Sequence, residues 1–189
     1  MTEKEIWLEI QEEAKSLSKD QSLSDSYLDE YVADFDKLSD SIGFKIANDL
    51  GQDVSSKAFS NKFLFAELKK VYEDSNILDG LVLDLLAVKQ RDPASTGYLS
   101  TLLFSKGFLA LQTHRASHYF LKSGETLLAS FLHSQASKIY SVDIHPAARS
   151  GVGVMRDHAT GRVIGETSVI EHDVSIFQGV TLGGTGKIT

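Results

Sequence analysis

Ile164-Gly-Glu-Thr-Ser-Val, Ile170-Glu-His-Asp-Val-Ser, Ile176-Phe-Gln-Gly-Val-Thr and Leu182-Gly-Gly-Thr-Gly-Lys187 follow one another near the carboxy end of a 189-residue chain. An aliphatic residue opens each hexad, and the fifth position holds Ser168, Val174 and Val180 before Gly186 departs from the pattern. A six-residue period of this kind marks a parallel β-helix. Each hexad supplies one short strand and a corner, and three hexads close a triangular coil. The aliphatic position points into the prism and small side chains fit its corners. Upstream, Ile144-His-Pro-Ala-Ala-Arg and Ser150-Gly-Val-Gly-Val-Met are looser hexads, and Ile144 stands 20 residues before Ile164. That spacing is not a multiple of six, so an irregular corner has to absorb two residues. Between residue 142 and Thr189 there is room for fewer than three coils, and no capping element is legible after Lys187. A solenoid needs its ends covered, so a fragment, or a partner chain over that end, is expected.

Working back from residue 140, the texture is helical. Ile6, Ile10, Ala14 and Leu17 form one apolar stripe, and Leu28, Tyr31, Val32, Phe35 and Leu38 form a second. Further stripes are read at Phe59, Phe63, Ala66 and at Leu78, Leu81, Val82, Leu85, Leu86, with breaks at Gly51 and at Asp74-Ser-Asn. Pro93 biases Asp92 away from helical backbone, which places Asp92 at a turn where a helix ends. Two more helices are predicted over about 102–121 and 126–140, with Gly124 as a cap between them. The predicted organisation is therefore α+β: an all-helical domain over residues 1–140, followed by β-helix coils over 141–189.

Composition narrows the function classes. Hydrophobic residues make up 42% and charged residues 24%, with a mean hydropathy of -0.11, as in soluble globular proteins. Cysteine is absent, which removes disulfides, thiolate metal sites and a cysteine nucleophile. Net charge is -7, and residues 1–50 hold 13 acidic against 5 basic side chains. That acidic balance argues against a nucleic-acid partner. No apolar run approaches the roughly 18 residues that span a bilayer, and Met1-Thr-Glu-Lys-Glu-Ile lacks a signal-peptide pattern. No membrane association and a cytoplasmic location are expected.

The residues that could carry chemistry lie in Val142-Asp143-Ile-His145-Pro-Ala-Ala148 and Met155-Arg-Asp157-His158-Ala-Thr-Gly161. With coils of about 18 residues, Asp143 and His158 are expected near one another on adjacent coils, so that the carboxylate accepts the Nδ1 proton of the imidazole. Such a pair makes a general base, because a near-neutral imidazole takes a proton and the carboxylate fixes its tautomer.

These runs, together with Val180-Thr-Leu-Gly-Gly-Thr-Gly-Lys187, Arg91-Asp92-Pro93-Ala94 and Lys106-Gly-Phe-Leu-Ala-Leu-Gln112, closely resemble bacterial serine O-acetyltransferases of the hexapeptide-repeat acyltransferase superfamily. The resemblance covers nearly the whole chain. It implies a left-handed β-helix, truncated here after its first coils, and transfer of acetyl from acetyl-CoA to the L-serine hydroxyl in a ternary complex during cysteine biosynthesis. It implies His158 as general base, Asp143 as its orienting carboxylate, and Asp92 and Asp157 as the acids that hold the substrate ammonium group. Gly184 is implied as a CoA contact, acetyl-CoA as the co-substrate, and no metal is expected. No role is assigned to Glu166, His145 or His172.

The family also implies a homo-oligomer, a trimer or a dimer of trimers joined through the helical region, and L-cysteine as a feedback inhibitor. Relatives continue past Lys187 through a Gly-rich loop with an Arg-His pair, more coils and a tail that docks in O-acetylserine sulfhydrylase. The chain as given stops at Thr189, so weakened serine binding, uncertain cysteine inhibition and no sulfhydrylase docking are expected. Two other readings are carried forward. One is a non-catalytic, truncated assembly subunit. The other is a trimeric zinc enzyme of γ-carbonic-anhydrase type built on His145, His158 and His172.

Overall fold

The computed structural model describes residues 1–20, 25–52, 57–156 and 158–184. It divides into two compact units, Met1–Phe104 and Ser105–Thr189. The change from helix to strand does fall just after Tyr140, at β1 (Val142–Ile144). The compact-unit boundary lies earlier than the predicted domain boundary, because the last two long helices pack on the strands that follow them.

The first unit contains α1 (Glu3–Asp20), α2 (Asp25–Leu28), a π turn over Asp29–Ala33, α3 (Leu38–Gly51), α4 (Asn61–Tyr72), α5 (Ser75–Arg91) and α6 (Tyr98–Phe104). Of the first stripe, Ile6, Ile10 and Ala14 are buried and Leu17 is exposed. The second stripe does not form one helix. Asp34 N–H donates to Asp29 O in the π turn, Lys37 is extended, and α3 begins at Leu38, whose N–H donates to the Glu3 carboxylate at 3.1 Å. The helix therefore starts where a distant carboxylate satisfies an open N–H group. The Phe59-Phe63-Ala66 face is also not the buried one. Leu64, Leu68 and Val71 are buried, with Leu68 beside Gly43 of α3, while Phe63 is exposed with its ring tilted against that of Phe59. Helix α5 begins on Asp74, whose side chain accepts from Asn76 N, and ends at Arg91 before Asp92 and Pro93, as expected. The Glu13 carboxylate accepts from Tyr98 N and Leu99 N at 3.1 and 2.8 Å and so caps α6. A Cβ on Gly97 would collide with that carboxylate, which is why the position has no side chain.

The second unit opens with α7 (Lys106–Lys122) and α8 (Thr126–Tyr140). The helix predicted over 102–121 is split, because Ser105 is extended and its carbonyl starts a new helix by accepting from Leu109 N. Gly124 at φ 86° ends α7, with Glu125 N bonded to Phe120 O and Gly124 N to Leu121 O. Among the described residues seven short parallel strands follow: β1, β2 (Arg149–Ser150), β3 (Met155–Arg156), β4 (Arg162–Ile164), β5 (Val169–Ile170), β6 (Ser175–Ile176) and β7 (Thr181–Leu182). They stack as β1-β4-β7, β2-β5 and β3-β6, one stack per face of the prism. Ile144 lies on Ile164, Ser150 on Ile170 and Arg156 on Ile176, each 20 residues apart, whereas Ile164 lies on Leu182, 18 apart. The two additional residues therefore sit between β3 and β4. The predicted irregular corner is this one. Ile144, Ile164, Ile170 and Ile176 are buried, as the hexad reading requires. Coils stack backbone on backbone at Gly151, where an added Cβ would lie 2.7 Å from Glu171 C and His172 N.

Candidate active site

His158 occupies the enlarged corner between β3 and β4 and is exposed. His158 and Ala159 both have positive φ, 50° and 58°, and Gly161 follows at 72°. Left-handed backbone at a residue with a side chain costs of order 1–3 kcal/mol and concentrates at active sites. Here the surroundings hold it. Ala159 is fully buried, Gly161 N donates to Ser141 O at 2.9 Å, Gly179 N donates to Thr160 O at 3.0 Å, and Lys106 Nζ donates to Thr160 Oγ1. The corner thus rests on the segment that leads into Asp143, on the next coil and on the start of α7. Arg162, fully buried at the foot of the corner, donates through Nε to Phe177 O and through Nη2 to Ile176 O, bracing the coil beyond it.

Asp143 is on β1, in register with Val163, so the residue stacked above it is not His158. His158, only 15 residues after Asp143, belongs instead to the corner that closes the same 20-residue coil. The hydrogen bond shown for Asp143 is to His133 of α8, Nε2 to Oδ1 at 2.6 Å. A carboxylate only accepts, so His133 carries its proton on Nε2 in this contact. The same logic fixes the neighbouring imidazoles. His118 Nδ1 donates to Pro146 O at 2.7 Å. His145 Nδ1 accepts from Ala147 N at 3.1 Å, and His172 Nδ1 accepts from Val152 N at 3.2 Å. Arg115 adds a bond from Nη2 to Gly151 O at 2.8 Å, so α7 and α8 together fasten the first coil.

Asp92 lies in the first unit, at the extended end of α5. Its Oδ1 accepts from Ala94 N at 2.8 Å in a local turn, the turn-forming role that aspartate before proline favours. Asp157 lies outside the described residues. Gly184 is exposed, and a Cβ there would meet nothing within 4 Å, so the room for a ligand along its backbone is open. Close approach between coils falls to Gly151 and Gly165 instead. Glu166 and His172 are exposed. Among the described residues no group of three His, Asp or Glu side chains could hold a metal.

His133 was not legible in the sequence as the partner of Asp143. Its only sequence signal is a polar side chain four residues after Ala129 on the helix that leads directly into Asp143, with Ala129 and Leu132 both buried.

A helical amino-terminal part joined to a left-handed parallel β-helix, with an imidazole raised on an enlarged corner, defines an acyltransferase of the β-helix class. The family pattern "Serine acetyltransferase, N-terminal" matches residues 6–113. The chain is 41% identical over 183 residues to the serine acetyltransferase of Haemophilus influenzae, covering 97% of this chain and 67% of that protein. It superposes on a soybean serine acetyltransferase complexed with serine at a TM-score of 0.93 and 39% identity, over 99% of this chain and 76% of that one. A serine acetyltransferase in complex with CoA gives 0.89 and 40%, over 96% and 76%. Another solved relative is a complex with cysteine. The chain belongs to the serine acetyltransferase family. It spans from about half to seven tenths of the length of the curated relatives it matches. These relationships carry the acetyltransferase reading and not the γ-carbonic-anhydrase alternative.

Proposed function

We propose that the chain acts as a serine O-acetyltransferase, moving acetyl from acetyl-CoA to the hydroxyl of L-serine. The observation that carries this is the enlarged corner, which holds His158 exposed on the coil that begins with Asp143, in a chain related to enzymes solved with serine and with CoA. His158 takes the proton as the serine Oγ attacks the thioester carbon. Asp143 holds the imidazole tautomer and steadies the imidazolium. Collapse of the tetrahedral adduct breaks the carbon–sulfur bond, and the imidazolium returns the proton to the leaving thiolate. Asp92 and Asp157 bind the substrate ammonium, a charge-assisted contact that discriminates against analogues without the amine. Gly184 lies along bound CoA. The reading includes a homotrimer or dimer of trimers assembled through the helical region, cytoplasmic residence, and L-cysteine competing at the serine site.

Thiol release from acetyl-CoA, with L-serine against buffer alone, tests the activity. Serine-dependent CoA release is expected, and its complete absence in a folded oligomer would instead favour a non-catalytic assembly subunit. His158→Ala is expected to lower kcat about 100-fold or more, as loss of a general base does. Unchanged turnover would remove His158 from the mechanism.

A further inference from the structure

We propose that His133 on α8 is a positioning residue for the acetyl transfer, acting by holding Asp143 so that its second carboxylate oxygen is presented to His158. The inference rests on the reading above. A carboxylate that orients an imidazole works only if it does not itself rotate, and Asp143 has little else to stop it. Its side chain is 45% exposed, and its backbone is fixed by the β1–β4 register while the carboxylate turns about its own bond. His133 supplies the missing restraint. Its Nε2–H donates to Oδ1 at 2.6 Å, shorter than an ordinary N–H···O bond, the direction in which a charged acceptor shifts the length.

The donor is itself rigid. It projects from a 15-residue helix whose neighbouring positions Ala129, Leu132 and Ala136 are buried, and that helix packs on β1, the strand bearing Asp143. The His145 ring stands edge-on to it with centroids 5.9 Å apart, and His145 is held in turn by its bond from Ala147 N. One carboxylate oxygen is thereby occupied from the helix side, and the other is given, in this proposal, to His158. Groups that do this for a site on the next element must lie on a scaffold, not a loop, because misplacement by about 1 Å costs on the order of 100-fold in rate.

The test uses His133→Gln and His133→Phe in the full chain. A glutamine carries an amide N–H near the place of the imidazole Nε2, whereas phenylalanine keeps the ring and removes the donor. His133→Phe is expected to lower kcat about 10- to 100-fold with KM for serine and for acetyl-CoA and the thermal midpoint little changed. His133→Gln is expected to recover most of that loss. In an Asp143→Asn background, His133→Phe is expected to cost nothing further. Wild-type turnover in His133→Phe, or an equal additional loss in the Asp143→Asn background, would overturn the assignment. If the wild-type chain released no CoA, the acetyltransferase reading would fail separately. The tether is then judged by imidazole 15N spectra alone, where a His133 Nε2–H signal unmoved by Asp143→Ala overturns it and a shifted one upholds the contact.

Discussion

Gly151 and Gly161 are ten residues apart in one coil and are glycine for different reasons. At Gly161 the backbone is left-handed with open space where a Cβ would go, so Gly161→Ala should cost about 1 kcal/mol of stability through conformation alone. At Gly151 the obstacle is the backbone of Glu171 and His172, which cannot move without unstacking two coils. Gly151→Ala should therefore cost more, about 1–3 kcal/mol as overpacking does, and urea denaturation of the two variants side by side measures the difference. A sequence shows a glycine but not which neighbour excludes a side chain. The same gap explains His133: Asp143 and His158 stand out by their motifs, whereas the partner that the structure gives Asp143 comes from a helix where nothing but a misplaced polar residue announces it.

Among elements, the carboxylates of α1 do work that their sequence positions conceal. Residues 1–50 read as an acidic block, yet Glu3 caps α3 and Glu13 caps α6, each by accepting from open N–H groups. Glu5 caps its own helix with Thr2, and that contact with the Thr2 backbone holds its carboxyl below the usual range. Replacing Glu13 by alanine should cost about 1–2 kcal/mol, as removal of a good N-cap does. Trp7, the only tryptophan and buried in the same unit, reports the shifted urea midpoint by fluorescence. Helical periodicity located the elements with local signals, such as Asp74 before α5 and Pro93 after it. It failed at residues 28–38, where the start of α3 is decided by a glutamate more than thirty residues away. The hexad period succeeded for the opposite reason: in a coil the long-range partner is always one turn on, so local spacing encodes it. The two surplus residues were countable, and the same 20-residue offset that sets Ile144 on Ile164 sets Asp143 on Val163, not beside a residue of the next coil's corner.

Across the whole molecule, charge burial predicts an alkaline limit for the first unit. Burial pushes Tyr27 up to about 12, assisted by Tyr31, Asp49 and Glu30, and burial also raises Tyr31 and Tyr98. A phenol whose folded pKa is raised stabilises the fold fully below its unfolded value of 10.0 and loses that contribution as pH climbs towards the folded value. Trp7 emission should therefore show the first unit loosening between about pH 10 and 12, and a flat signal across that window would contradict the assignment. The second unit is organised differently, as stacked coils clasped by α7 and α8, and its enlarged corner has a wider meaning. Six-residue spacing runs from β1 to β3 and again from β4 to β7, so the two additional residues between β3 and β4 lengthen one coil without disturbing the stacking of the strands around them. Lengthening a single turn thus lifts one imidazole out of the wall while every strand beyond it keeps its place.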